Sequence, residues 1–414
     1  MSLANPETSA ALSLLNARAV RERAHRMLAL GLEDKLPNFR IDLDRMDSTV
    51  DLVLEVTRKA YPSFEVPFHS RWRHFVMNGD NRWADIADQT EWPGRAARAR
   101  AEFDLAIVSV FLDAGAGSSW RYRDPKTGSA IGRSEGLGLA SLAMFAGGAF
   151  SADPLEPLRV DADVLANFTV ADLERGMQVS DINPLVGIDG RVDLLRRLGT
   201  LVASKPDIFG SLDTPRPGGL FDRLAKLADS RELPAPTILT ELLQQLGPIW
   251  PSRLTLGGIA LGDCWRHPVL TTADATSGLV PLHKLSQWLA YSLIEPLQTA
   301  GIRVTDVDAL TGLAEYRNGG LFVDIGMLAF RDPEAAQQEH GVASPLVVEW
   351  RALTVALLDR VADGLRHRLK VDATLLPLAK ILEGGTWAAG RLLARQRRAD
   401  ASSPVKIISD GTVF

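Results

Sequence analysis

Glu315, Arg317 and Asp324 bring two carboxylates and a guanidinium within ten residues of one another, around Asn318-Gly319-Gly320. Two acids beside a fixed cation suit hydrolytic chemistry. Carboxylates in such a setting are the residue types that general acid and base work uses. The Asn-Gly-Gly triplet reads as a turn, because glycine accepts positive φ or the close approach of a ligand. Behind it, residues 321–330 are almost wholly apolar. That carries Asp324 into a buried setting, where it must be paired, hydrogen-bonded or protonated. A second charged group, Glu349-Trp350-Arg351, opens a strongly apolar helix further on. A structural reading stands beside the chemical one: Glu315 and Arg317 cap a helix or pair with their neighbours.

Three other stretches concentrate polar groups. Residues 66–83 hold two histidines, three arginines and two tryptophans. Here His69, Arg71, Arg73 and His74 either bind an anion through charge-assisted bonds or belong to a Trp-rich packing corner whose arginines stack outward on the rings. Residues 261–268 set Asp263, Cys264, Trp265, Arg266 and His267 side by side. Adjacency does not make Cys264 a nucleophile, since catalytic Cys and His partners meet in space and usually lie far apart in the chain. Next come His283, Lys284 and Gln287, of which the last two share a helical face. Lys284 is either a snorkelling lysine or a charge aimed into a pocket. The spacing of His69 and His74 suits no ligand pair on a helix, and no His-Glu-x-x-His occurs, which argues against zinc.

The elements that must position these groups read as mainly helical. Apolar spacing predicts helices over 10–30, ended by Gly31, over 47–61, stopped by Pro62, and over 95–112. Further helices are predicted over 170–176, 190–204 and 219–228, and one over 281–297 that ends near Pro296. Ser134 and Glu135 stand where a loop enters a helix. Gly115 and Gly117 lack the Gly-Lys-Ser/Thr and the strand of a phosphate loop. Pro and Gly clusters at 213–219 and 234–236 mark surface connections or a boundary between lobes 1–233 and 234–414. With 414 residues, 46% of them hydrophobic, the chain can bury a full core as one large two-lobed unit. A net charge of −5 of mixed pattern argues against nucleic-acid or anionic-membrane partners. The single cysteine, Cys264, rules out an internal disulfide framework and fits a reducing cytosol. No signal-peptide pattern and no apolar run of roughly 20 residues is present, so a soluble cytoplasmic protein is expected.

Six stretches in order carry a resemblance: Val66-Pro-Phe-His-Ser-Arg-Trp-Arg-His-Phe75, Gly132-Arg-Ser-Glu-Gly136, His283-Lys-Leu-Ser-Gln-Trp288, Leu310-Thr-Gly-Leu-Ala-Glu-Tyr-Arg-Asn-Gly-Gly320, Glu349-Trp-Arg-Ala-Leu-Thr354 and Leu382-Glu-Gly-Gly-Thr-Trp387. They resemble the uracil catabolism protein four family of fungi and bacteria, from near residue 10 to the closing segment 408–414. The resemblance implies a role in the reductase-independent uracil route, in which uracil is ribosylated, its ring is opened, and urea is released from a ribosylurea-type intermediate. A second likeness is to the queuosine nucleotide salvage glycosidases, α-helical enzymes related in shape to DNA glycosylases. Those carry their carboxylate in an Asp-Tyr-Arg element, preceded by a Lys-x-x-Gln helix and followed by a Glu-x-Arg helix. Lys284 to Gln287, Glu315-Tyr316-Arg317 and Glu349-Trp350-Arg351 are similar and in the same order. Glu stands here for Asp, which moves the carboxylate by about an ångström, enough to matter to catalysis.

These resemblances imply a mainly α, two-lobed fold like the helical DNA-glycosylase-like N-glycosidases, with a few short strands, and hydrolysis of an N-ribosidic bond in a small ribosylated substrate. Glu315 would face the anomeric carbon, and Asp324, Asp263 or Glu349 would supply the proton. Arg71, Arg73, Lys284 and Arg351 would meet a ribose phosphate. Trp72, Phe75 or Trp265 would enclose the planar leaving group, with His74, His283, Gln287, Tyr316 and Arg317 completing the substrate contacts. No metal or organic cofactor is demanded. Two rivals are an amidohydrolase or deaminase of a ring-opened pyrimidine, and a non-catalytic binding protein of the same pathway.

Overall fold

The computed structural model describes residues 5–113, 115–117, 119–210, 214–250 and 254–408. Ala114, Ser118 and Asp213, from the loops named above, and 409–414 of the closing segment lie outside the described residues. The chain is predominantly helical, as its spacing predicts, and among the described residues its strands occur only as two-stranded pairs. No described helix is long and apolar enough to cross a membrane.

The chain forms two compact units. One contains residues 5–69, 254–287 and 306–408, the other Ser70–Trp250 and Trp288–Thr305. The first is built on the helix Pro345–Leu369, which is buried on every side from Leu346 to Leu358. A helix that is apolar all round belongs at the centre. The helices Ala17–Leu32 and Met46–Ala60 pack on it. Gly364 allows this approach, since a Cβ there would stand 2.6 Å from Val50. The shorter helix Tyr316–Asp324 packs on the first half of the same element, through Gly319 against Trp350. In the second unit the helix Arg95–Phe111 is central and carries Asp104 inward. Asp104 accepts from Val160 N, Arg216 Nε and Gly218 N, so one carboxylate ties two other segments to its helix. The segment Pro234–Ala235–Pro236 lies in this unit and opens the helix Ala235–Gln245.

Three local expectations are corrected. The helix expected over 10–30 is two helices, Pro6–Ser13 and Ala17–Leu32, because Asn16 turns its side chain onto Ala19 N (2.9 Å) and caps the second. Gly31 does not end that helix; it sits inside it, where a Cβ would strike Ile41 at 2.3 Å. Pro296 does not stop its helix either, which runs from Lys284 to Thr299. A proline inside a helix orphans the carbonyl four residues earlier. Here that carbonyl, on Ser292, accepts the indole N–H of Trp72 at 2.7 Å.

Candidate active site around Glu315

Glu315 precedes the helix Tyr316–Asp324 in extended backbone, at φ −116° and ψ 165°. Its carboxylate folds back to accept Arg317 N at 2.7 Å and Asn318 N at 2.5 Å. It therefore caps the helix, as the structural reading of the sequence has it. Glutamate is nevertheless not among the side chains that cap well, and this one is only 7% exposed. Burial pushes its carboxyl pKa up, against the two backbone N–H groups and the positive charges of Lys284 and His69. The two bonds occupy about half of a carboxylate's acceptor positions. What results is an anion held by a helix N-terminus but poorly solvated, with lone pairs left over.

Asn318-Gly319-Gly320 is not the expected turn. It forms the first turns of the helix, and neither glycine has positive φ. Gly319 is required for another reason: a Cβ would lie 2.6 Å from the Trp350 ring, whose N–H donates to the Gly319 carbonyl at 3.0 Å.

Arg351 and Asp263 brace this end of the helix. The guanidinium grips both oxygens of Asp263, at 2.7 and 2.8 Å, while its Nε donates to the carbonyl of Ala314, the residue before Glu315, at 3.1 Å. Asp263 also accepts Trp265 Nε1 (2.6 Å) and the backbone N–H of Lys284 (2.9 Å). Burial would raise the Asp263 pKa, but Arg351 and the hydrogen bonds more than offset it and hold the carboxyl well below the usual range. The raised pKa required of a proton donor at Asp263 is therefore not found, and Trp265 and Arg351 are engaged with this carboxylate. Cys264 is buried and its thiol is pushed up to about 12, far from a nucleophilic thiolate. His283, at φ +46°, bonds the Leu14 carbonyl at 3.0 Å, and burial pushes its pKa down. Gln287 donates to Thr311 Oγ1 at 2.6 Å, tying the Lys284 helix to the segment that leads into Glu315.

The other two carboxylates work as clamps. Asp324, at the far end of the nine-residue helix and so ~13 Å of helical rise from Glu315, takes both nitrogens of Arg398, at 2.7 and 2.5 Å. The expected buried setting is there, and the pairing answers it. Glu349 is wholly buried and accepts Phe39 N (2.8 Å), Asn38 N (3.2 Å) and Asn38 Nδ2 (2.9 Å), with His267 Nε2 at 3.3 Å. A carboxylate accepting from two backbone donors and an amide is a structural tie. Glu349→Gln puts an NH2 group against those donors and should cost about 1–3 kcal/mol of stability. Urea unfolding will show the loss, while turnover per folded molecule is retained.

The 66–83 cluster is divided between the units. Arg71 to Phe75 form a short turn of the second unit, where Arg71 is fully buried. It lies 3.0 Å from Asp113, donates to Ser109 Oγ at 2.6 Å and stacks over Trp288; His74 is 3.1 Å away. Arg73 pairs with Glu295 at 2.6 Å and Phe75 is in the core. The packing-corner reading describes these contacts. In the first unit, Tyr316 lies under the Arg317 guanidinium, which donates to the Ala401 carbonyl.

One group was missed by the residue-by-residue reading. His69 Nδ1 is 2.7 Å from Glu383, a residue noticed only as part of a longer stretch. Its signal was the Glu-Gly-Gly run at 383–385, which folds as a π-helical turn, Leu382–Thr386. Among the described residues no group of three or more His, Cys, Asp or Glu side chains is arranged to hold a metal.

Comparison with known proteins places the chain. The family model described as "Protein of unknown function (DUF1688)" matches residues 13–414. The chain belongs to the DUF1688 family. This DUF1688 member is 38% identical over 415 residues to Protein urg3 of Schizosaccharomyces pombe, covering 98% of this chain and all of the relative. It is 36% identical over 414 residues to Uracil catabolism protein 4 of Lachancea kluyveri, covering 91% and 92% respectively. The family expected from the six stretches is thus the family found. In this DUF1688 chain, the stretches at 310–320, 349–354 and 382–387 all belong to the first unit, the one that holds Glu315.

Proposed function

We propose that this chain hydrolyses an N-ribosidic bond in uracil catabolism, with ribosylurea or its 5-phosphate as substrate and urea and the sugar as products. The pathway is supported by the name of the Lachancea kluyveri relative. The observation that carries the chemistry is the buried, backbone-held carboxylate of Glu315. As the bond from C1′ to nitrogen stretches, positive charge grows on C1′ and the ring oxygen. An anion that the protein solvates poorly at rest gains most when that charge appears, which is selective stabilisation of the transition state. The same carboxylate has the lone pairs to attack C1′ and form a glycosyl-enzyme. Lys284, close enough to act electrostatically on Glu315, keeps the carboxylate ionised and offers a charge to a sugar phosphate.

The test is a panel of ribosylated compounds, including ribosylurea, its 5-phosphate and uridine, incubated with the enzyme while free sugar and urea are both measured. Sugar and urea released in equal amounts from a ribosylurea support the reading. Ammonia released without urea favours an amidohydrolase, and tight binding without turnover favours a binding protein.

A further inference from the structure

We infer that His69, oriented by Glu383, is the acid that protonates the departing nitrogen; this rests on the N-ribosidase reading above. The argument begins with backbone. The π-helical turn Leu382–Thr386 interrupts the run from Leu378–Ile381 into Trp387–Arg397. Such insertions re-aim side chains and occur frequently at functional sites. Gly384 and Gly385 let the turn press onto the helix Met46–Ala60, where a Cβ on Gly385 would stand 2.4 Å from Val53. Glu383 is thereby aimed at His69 Nδ1 (2.7 Å) and accepts the hydroxyl of Tyr61 (3.3 Å). The His69 backbone N–H is fixed in turn to the Ala379 carbonyl at 2.9 Å. A carboxylate on Nδ1 settles the tautomer and ring orientation and leaves Nε2 as the working nitrogen.

The helix that follows this turn, Trp387–Arg397, carries the neighbour of His69 against the first turn of the Tyr316–Asp324 helix. Gly390 lies one turn beyond Trp387, and a Cβ there would meet the Arg317 carbonyl at 2.0 Å, so the two helices touch at the first turn that Glu315 caps. The His69 and Trp387 rings are 6.5 Å apart, and Arg391 lies over the half-buried Trp387. The carboxylate proposed for the sugar and the imidazole proposed for the nitrogen belong to one unit.

The step balances without further reactants. As the bond from C1′ to nitrogen breaks, its electron pair goes to nitrogen, and imidazolium His69 transfers its Nε2 proton there, so urea leaves neutral. Water adds through oxygen at C1′ and gives its proton to the now neutral His69, restoring the imidazolium held by Glu383. On this route Glu315 stabilises C1′ without attacking it and stays anionic throughout.

The experiment uses ribosylureas with increasingly electron-withdrawing groups on the distal nitrogen, whose ureas need progressively less help to leave. For His69→Gln, kcat on plain ribosylurea should fall by about 10²–10⁴-fold and recover towards wild type along the series. Glu383→Gln, which keeps His69 but not the charge behind it, should give the same slope with a smaller loss, and covers the case in which His69→Gln does not fold. Glu315→Gln should be low across the whole series. A loss of equal size on every leaving group, or no loss in either His69→Gln or Glu383→Gln, overturns the assignment while leaving the N-ribosidase reading intact. Wild type that cleaves none of the series overturns both.

Discussion

Glu315→Gln should lower kcat by about 10²–10³-fold with KM nearly unchanged and the fold intact. Glutamine preserves the shape and one acceptor for the helix N-terminus but sets its NH2 against the second backbone donor, which should cost about 1–3 kcal/mol. What disappears is the charge, which matters only when the sugar becomes cationic; kcat and kcat/KM therefore fall together. The pH dependence has a definite sign. Burial raises the Glu315 pKa from its ordinary 4.5, so as pH falls through the raised value the carboxylate is protonated, and wild-type turnover declines on the acid side above the pH expected for a free glutamate. The stability effect runs the other way. A carboxyl whose folded pKa lies above its unfolded one adds stability at low pH and loses that contribution as pH rises through the folded pKa. At neutral pH the glutamine variant escapes this loss, which offsets part of the capping deficit. Steady-state kinetics and thermal melts against pH check both statements.

Breaking the Asp263–Arg351 pair should be the most damaging single change to stability in the first unit, at about 3–5 kcal/mol. Arg351 is 1% exposed in its side chain. Asp263→Asn leaves that cation buried with no counter-charge and weakens the tie that fixes Ala314 and, through it, Glu315. The folded pKa of Asp263 is depressed, so its contribution is complete above the unfolded value of about 3.9 and is lost as pH falls below it. Wild type should therefore lose stability on acidification more steeply than the variant. Replacing both partners, as Asp263→Leu with Arg351→Met, should restore much of the loss, since an apolar pair carries no orphaned charge. Urea unfolding of the two single variants and the double variant separates these outcomes. An Asp263→Asn protein as stable as wild type would show that the pair braces nothing.

Where a helix depends on its own spacing and breakers, the sequence reveals it: residues 47–61, 95–112 and 170–176 are predicted within a residue or so of the helices Met46–Ala60, Arg95–Phe111 and Val170–Gly176. It misleads where a distant partner overrules a local rule. Pro296 is tolerated because Trp72, 220 positions from Ser292, takes the orphaned carbonyl. Asn318-Gly319-Gly320 has turn chemistry, yet Trp350 needs a glycine in a helix there. The candidate site follows the same division. Glu315 stands out as a charged residue before an apolar run, and its cap follows from its place. The roles of Asp263 and Glu349 were not legible, because an acid looks the same in sequence whether it donates a proton or clamps Arg351, Asn38 and Phe39. Glu383 stands in the sequence only as one residue of the stretch 382–387, because its partner His69 lies 314 residues away.

The central claim is that the bond broken is the one from C1′ to nitrogen, opposite Glu315. Ribosylurea labelled isotopically at both nitrogens, taken to completion with wild-type enzyme and analysed by mass spectrometry, tests it most directly. The expected product is urea carrying both labels, with a sugar free of nitrogen. Labelled ammonia and carbon dioxide in place of urea would contradict it.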